Sequence, residues 1–382
     1  MARLSSILTL AVFYLSSLGE ATTAPAPGGI SLPPGTGPHD VGTVELQLTD
    51  YSRPNPFATD PSSAGPRSFM IQLFYPAKNA HQYPLVAYMG PATAAFYEQS
   101  LDLPPGIISL IHPTSHLGAP IKSHAPAHLI LFSPGYGTAR HAYTTFAEDL
   151  ASHGYLVATI DHPYDAGIVE FPDGTFILGD PTTDLNDTST FAKFLDVRIQ
   201  DSIFALSRLH GNLTKSIPGV HASLRIRQTG MFGHSFGGAT TAGAMYLDSR
   251  IRGGINMDGR LGGAVVQCGL SAPFLLMGTP VHNLTTDSTW AGLWAGLTAW
   301  KRALVLDGTM HLAYSDFPVV AALLGVFTDE AFQASFGTID GARANLVMRV
   351  YVRAFFGFVL RREGDALFAG PDVAYPEVLF QS

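Results

Sequence analysis

The pentapeptide Gly233-His234-Ser235-Phe236-Gly237 constrains this chain more than any other stretch. Arg225 to Phe232 before it reads as a strand, and Gly238-Ala239-Thr240-Thr241-Ala242-Gly243-Ala244-Met245 after it supplies the small residues of a closely packed helix. Strand, sharp turn and helix around G-x-S-x-G is the context of a nucleophile elbow. The glycines flanking Ser235 have no Cβ, so they tolerate a strained turn and close backbone approach. The turn lifts the Ser235 hydroxyl above a sheet. The helix N-terminus then directs backbone N–H groups at the position where an oxyanion would form.

A second loop must supply the partner donor. Leu129-Ile130-Leu131-Phe132 is a continuous apolar run, as expected of a parallel strand covered on both faces, and it ends in Pro134-Gly135-Tyr136-Gly137. A helix over Ala142 to Ser152 and a strand over Gly154 to Ile160 complete a βαβ unit. A dinucleotide site is a poor reading of it. Thr138-Ala139-Arg140 follows Gly137 where a third glycine is needed, the strand is not the first of the domain, and Asp161 alone does not make a ribose site. The better reading gives the backbone N–H of Tyr136 as an oxyanion donor.

The remaining elements extend this unit. Val44 to Thr49 alternates apolar and polar residues, and Phe69 to Tyr75 is a second strand; together they predict an antiparallel sheet edge. Pro84 to Met89 is a short apolar run, read as another strand. Residues 90–127 form a proline-rich, lid-like insertion carrying Ile107, Ile108, Leu110 and Ile111. Asp161 to Asp187 reads as loops with a hairpin around Asp173-Gly174, and Phe191 to Leu209 as a helix. Strands are expected at Ile251 to Met257, Phe274 to Gly278 and, last, Ala303 to Leu306, with a closing helix from Ala342 to Arg362. A chain of 382 residues, 46% of them hydrophobic, suits one large α/β domain or two smaller ones.

A serine hydroxyl attacks only when a base takes its proton, and histidine titrates near working pH. In this order of chemistry the acid and the histidine follow the serine. His311 runs straight off the Ala303 to Leu306 strand; the other histidine after Ser235 is His282. Asp258, at the end of the strand after the elbow, is the preferred acid, with Asp287 and Asp307 as alternatives.

Composition excludes some classes. The net charge of −8 with no basic run argues against nucleic acid. No metal signature is present: there is no H-E-x-x-H, only one cysteine (Cys268), and Pro113 separates His112 from His116. Residues 1–21 carry Arg3, an apolar core from Ile7 to Leu18 and small residues for cleavage, the pattern of a secretory signal. Its core is too short to span a bilayer, so the mature chain is expected to be secreted with no transmembrane segment. Sequons at Asn186, Asn212 and Asn283 are candidate glycosylation sites. Residues 22–38 read as a flexible leader and 39–382 as a single domain.

The chain resembles the plasma-type platelet-activating-factor acetylhydrolases, in particular their fungal and bacterial relatives. The resemblance rests on Gly233 to Thr240, on Asp149-Leu150-Ala151-Ser152-His153-Gly154-Tyr155, and on Gly308-Thr309-Met310-His311 with Asp316-Phe317. It covers roughly Leu73 to Phe358. It implies an α/β-hydrolase fold with a mostly parallel central sheet flanked by helices. It implies Ser235, Asp258 and His311 as the triad, with Asp258 placed 23 positions after Ser235 as the family places its acid. It implies the N–H groups of Tyr136 and Phe236 as the oxyanion hole. Where the family often has serine-histidine-glycine, this chain has Ser133-Pro134-Gly135, which keeps the backbone donor and omits a histidine. The implied activity is hydrolysis of a short or oxidised sn-2 acyl ester of phospholipids, without cofactor. The expected partner is a small lipid or ester, with peripheral contact to lipid aggregates through the 90–127 insertion. A broad carboxylesterase or cutinase-like polyester hydrolase is the alternative with the same triad. A non-catalytic binding module is the alternative of another class, and it would lack a triad member.

Overall fold

Alternation along one strand sets the layers. In Leu129-Ile130-Leu131-Phe132, Leu129 and Leu131 join one buried cluster with Phe194, Leu206, Ala239 and Trp290. Ile130 and Phe132 join another with Phe146, Leu150, Met348 and Phe355. Side chains of a strand point to opposite faces with period two, so an unbroken apolar run demands cover on both sides. The computed structural model describes residues 29–58, 64–122, 127–222, 224–325 and 330–381. The signal segment and residues 22–28 of the leader lie outside these.

The main sheet has ten strands: β1 (Val41–Pro54), β2 (Pro66–Pro76), β3 (His116–Leu117), β4 (Ala127–Ser133), β5 (Leu156–Ile160), β6 (Ile226–His234), β7 (Ile251–Met257), β8 (Phe274–Gly278), β9 (Lys301–Leu306) and β10 (Val378–Phe380). Their order is β10-β9-β8-β7-β6-β4-β5-β2-β1-β3. From β5 across to β9 every pairing is parallel, and β2 joins β5 antiparallel. Parallel neighbours require crossovers, which the helices provide. Those that matter here are α1 (Pro91–Ser100), α2 (Thr144–Ser152), α3 (Thr188–His210), α4 (Phe236–Leu247), α5 (Ser288–Gly296), α6 (Phe317–Leu324) and α7 (Gly341–Arg361). This is the α/β-hydrolase architecture. Aspartates cap three of the helices: Asp187 accepts from Thr190 N at 2.8 Å, Asp287 from Thr289 N at 2.6 Å and Asp340 from Arg343 N at 2.8 Å. No helix among the described residues is long and apolar enough to cross a membrane.

Four expectations need correction. Pro84 to Met89 forms no strand; only Leu85 makes an isolated bridge, to His116. The strand at Ala303–Leu306 is not the last, because Val378–Phe380 pairs antiparallel to it. The leader is held in place over residues 29–38. Ile30 pairs with Ile111, Leu32 is buried, Arg349 donates to the Pro34 carbonyl at 2.9 Å, and Thr36 N donates to Asp149 at 2.8 Å. The insertion is largely ordered around α1, and Ile108 and Ile111 pack with Leu32, Tyr97, Ala139 and Val320. Those two isoleucines therefore cover the protein's own core, while Leu110 stays exposed.

Asp316 ties three of these elements together. Its N–H donates to the Ala142 carbonyl at 2.7 Å, and its buried carboxyl accepts from the Thr145 N–H and hydroxyl. Asn345 donates to the Thr145 hydroxyl at 2.7 Å. Burial pushes the Asp316 carboxyl up to about 7, against the Thr145 hydrogen bonds and with Glu148 adding repulsion. An unfolded aspartate titrates near 3.9. Between these values the native state holds a proton that the unfolded chain has released, so this group lowers stability as pH rises from about 4 to 7. Asp316→Asn should flatten that loss. Its melting temperature relative to wild type should be more favourable at pH 8 than at pH 5; parallel pH curves would show that Asp316 is ionised throughout.

Candidate active site

Ser235 stands between the end of β6 and the start of α4 with φ 54° and ψ −121°, a conformation that costs a non-glycine residue energy. Its surroundings enforce that turn. Ser235 N donates to the Met257 carbonyl at 2.8 Å, and Gly238 N returns to the Ser235 carbonyl at 2.9 Å. A Cβ on Gly233 would collide with the Gly237 carbonyl, and one on Gly237 with the Ser133 carbonyl. The two flanking glycines are thus required by close approach, and the approach brings the β4 loop against the first turn of α4.

Three of the residues selected from sequence meet here. His311 begins a short turn after β9, with Nε2 2.9 Å from Ser235 Oγ and Nδ1 2.5 Å from Asp258 Oδ2. Asp258 follows β7 with φ 54°, fixed by its N–H to the Met277 carbonyl at 2.7 Å. Burial alone would raise the Asp258 pKa. Hydrogen bonds from His282 and His311 outweigh burial and hold it below the usual carboxylate range. A carboxylate on Nδ1–H leaves the Nε2 lone pair facing the serine hydroxyl, the arrangement in which imidazole can accept its proton. The other acid candidates do not touch His311. Asp307 is exposed and accepts from Gly308 N, and Asp287 caps α5 and contacts His282, at 2.7 Å.

The loop carrying Tyr136 is clamped by a residue that the sequence did not flag. Arg198, buried on α3, donates to the Pro134 carbonyl at 2.6 Å and the Gly135 carbonyl at 3.2 Å. It pairs with Asp165 and lies 4.8 Å over the Phe236 ring. Asp165 in turn accepts Gly137 N on its carbonyl at 3.0 Å. The Tyr136 ring packs edge-on against Phe194 and Phe236. A cation on the buried face of an apolar helix, between Leu195 and Ser202, was the available signal.

His234 and Tyr143 form a second strut. His234 Nε2 lies 2.9 Å from the His311 carbonyl, which can only accept, so Nε2 carries the proton. His234 Nδ1 then accepts from the Tyr143 hydroxyl at 2.8 Å, and that hydroxyl accepts from Gly135 N at 3.1 Å. Burial, with His311 close by, pushes the His234 pKa down to about 3, so the ring stays neutral.

The sequence matches the family described as platelet-activating factor acetylhydrolase, isoform II, over residues 26–171 and 199–365. The chain belongs to this family. It is 34% identical to an Arthroderma benhamiae protein named "probable 1-alkyl-2-acetylglycerophosphocholine esterase", across 95% of this chain and 97% of that one. It is 23% identical to the platelet-activating factor acetylhydrolase of Cavia porcellus, across 76% and 70% of the two chains. Among solved structures it superposes on a ferulic acid esterase from Streptomyces cinnamoneus with TM-score 0.80 and 31% identity, covering 93% of this chain and all of that one. The molecule is a carboxylic ester hydrolase.

In this acetylhydrolase-family fold a cavity of about 330 Å³ lies between α3 and the loop after β7, lined by Phe191, Ala192, Leu195, Ile199 and Leu261 together with Asp196 and Arg260; no triad residue lines it. The Phe191 ring lies 5.0 Å from that of Phe236, the residue after Ser235, tilted at 57°. Of the three sequons, Asn186 and Asn212 are exposed. Asn283 is buried, with its amide donating to the Pro280 carbonyl at 3.0 Å, which removes it from the expected glycan sites.

Tyr143→Phe would remove the hydroxyl that joins Gly135 to His234. Leaving a buried N–H without a partner costs about 1–3 kcal/mol of stability. The loop and the His311 backbone should loosen together, so kcat should fall about tenfold with KM nearly unchanged, an effect of positioning. Steady-state kinetics with denaturant unfolding decide it; an unaltered kcat in a destabilised variant would uncouple Tyr143 from the site.

Proposed function

We propose that this esterase acts through a serine acyl-enzyme, on the short or oxidised sn-2 acyl group of phospholipids, outside the cell. The observation that carries the mechanism is the Ser235 Oγ to His311 Nε2 distance of 2.9 Å with Asp258 behind the ring. Ser235 Oγ attacks the ester carbonyl carbon as its proton passes to His311 Nε2. The N–H groups of Tyr136 and Phe236 receive the oxyanion; neither N–H has a protein acceptor among the described residues. His311 then protonates the leaving alkoxide as its C–O bond breaks. Water attacks the acyl-serine carbonyl as His311 takes its proton, and His311 returns that proton to Ser235 Oγ as the acyl C–O bond breaks and the acid leaves.

The substrate reading draws support from the family and from the names of the fungal and guinea-pig relatives. The cavity on α3 is largely apolar and meets the elbow through the contact between Phe191 and Phe236, which supports a substrate with an acyl chain. A second reading, a broader carboxylesterase, is favoured by the likeness to the ferulic acid esterase. A chain-length series of esters that includes a short-acyl phospholipid separates them. Preference for the phospholipid supports the first reading, and higher kcat/KM on simple aryl esters supports the second.

Ser235→Ala and His311→Ala should each lower kcat by about four to six orders of magnitude while the protein stays folded, because triad members act as a unit. Asp258→Asn should cost about 10⁴, whereas Asp287→Asn should be mild at neutral pH. Near-normal turnover by folded Ser235→Ala would refute the serine mechanism.

Export is supported by residues 1–21 and by the exposed sequons. Expressed in a eukaryotic secretory host, the protein should carry glycans at Asn186 or Asn212 and none at Asn283. Glycosidase mass shifts on peptides read this out, and an intact Met1 in a cell-retained product would overturn it.

A further inference from the structure

His282 sits on the loop after β8, in a tight turn where Thr279 N donates to the His282 carbonyl at 2.9 Å. Its ring rests on Trp290 at 4.9 Å between centroids. Nδ1 lies 3.0 Å from Asp258 Oδ1 and Nε2 lies 2.7 Å from Asp287 Oδ2. Carboxylates only accept, so both ring nitrogens donate and the ring is an imidazolium. Asp287 is itself fixed, because its other oxygen caps α5. A row results: Asp287, His282, Asp258, His311, Ser235. The two oxygens of Asp258 are taken by two different histidines.

We propose that His282 is a positioning residue of this site: a standing positive charge that fixes the rotation of the Asp258 carboxylate and opposes protonation of His311, keeping His311 available as a base at lower pH. This rests on the reading of Ser235, Asp258 and His311 given above. An ordinary triad gives the whole carboxylate charge to one imidazole. Here His282 shares it, and Asp287 balances the added charge.

The neighbouring groups leave this balance to the two histidines. His311 is faced by Asp258, by Ser235 and by the ring of His234 at 4.7 Å, which is neutral. Asp258 is faced by His282 and His311, with Tyr314 near; the Tyr314 hydroxyl donates to the Gly278 carbonyl. His282 is faced by Asp258, Asp287 and Trp290. Burial lowers the His282 pKa, but the two carboxylates outweigh burial and push it up to about 10. Its unfolded value is near 6.5. The stabilisation it gives is therefore full below that value and is lost as pH rises through 10.

The decisive variant is His282→Gln, which keeps an N–H donor for Asp258 and removes the charge. The acidic limb of its kcat/KM profile should move to higher pH by about one unit, the size expected for one nearby charge. A purely structural role would lower kcat/KM at all pH values without moving the limb, and that result overturns the proposal. The second arm is imidazole NMR titration of the Ser235→Ala protein, alone and with Asp287→Asn. His282 should be doubly protonated at pH 8 in the first. In the second it should discharge at lower pH, and the His311 ring should then hold its proton to higher pH than in the first. A neutral His282 at pH 7 in Ser235→Ala overturns the proposal, as does a His311 titration that is the same in both proteins. This arm reads the protons whatever the reaction, so it stays decisive if His282→Gln does not fold. If the serine mechanism itself were wrong, Ser235→Ala would retain turnover, which separates the two failures.

Discussion

The contact between Gly237 and the Ser133 carbonyl governs the rest of the site. No side chain fits between these backbones, so the elbow and the β4 loop are held at backbone distance. That distance sets the start of α4 beside the loop bearing Tyr136. It also follows from the sheet itself, since β4 and β6 pair in parallel and register Gly233 against Ser133. Crossovers return each parallel strand to the same edge, so the ends of β4, β6, β7 and β9 converge there. Side chains from distant parts of the chain thus reach one another because the strands end together.

What could be read in advance followed from local signals with few physical alternatives. G-x-S-x-G between an apolar strand and a small-residue helix has one good conformational solution, and unbroken apolar runs have one good environment. Ser235 and His311 were therefore visible, as were six parallel strands. Asp258 and Asp287 were harder to separate because the difference is spatial: both contact His282, and only Asp258 also contacts His311. Arg198 and Tyr143 were harder to recognise as parts of the site. Besides Asp165 and His234, they bind backbone atoms of the β4 loop, and backbone groups leave no mark in the sequence.

The errors share that cause. The leader looks like a free coil by composition, yet it is bound through the carbonyls of Pro33 and Pro34 to Arg349 and through Thr36 to Asp149. Proline removes an N–H but keeps its carbonyl as an acceptor. The strand at Val378–Phe380 has only three residues and owes its form to pairing with β9. Pro84 to Met89 is apolar but pairs with β3 only through the single bridge at Leu85. Its Val86, Tyr88 and Met89 are buried all the same, by the insertion and its neighbours. Hydrophobicity predicted burial correctly there and conformation wrongly.

Beneath the site lies a buried polar network whose cost demands a reason. Arg198 pairs with Asp165, and Arg67 pairs with Asp201, all nearly inaccessible to water. Desolvation of such ions is expensive, and apolar side chains of the same volume are often as stabilising. What apolar residues cannot do is aim a hydrogen bond. His162 is held neutral by burial despite its bond to Asp201. Its Nδ1–H donates to Asp201 at 3.1 Å, so Nε2 accepts from the Ser133 hydroxyl at 3.1 Å. Arg198 donates to that same hydroxyl at 3.3 Å and to the Pro134 carbonyl at 2.6 Å. Each bond has a defined direction, and together they fix Ser133, Pro134 and Gly135 immediately before Tyr136. An oxyanion hole acts by donors that are already in place when charge develops, so that no reorganisation is needed at that moment. The buried ions supply that fixity from below, as the Gly237 contact supplies it from the side.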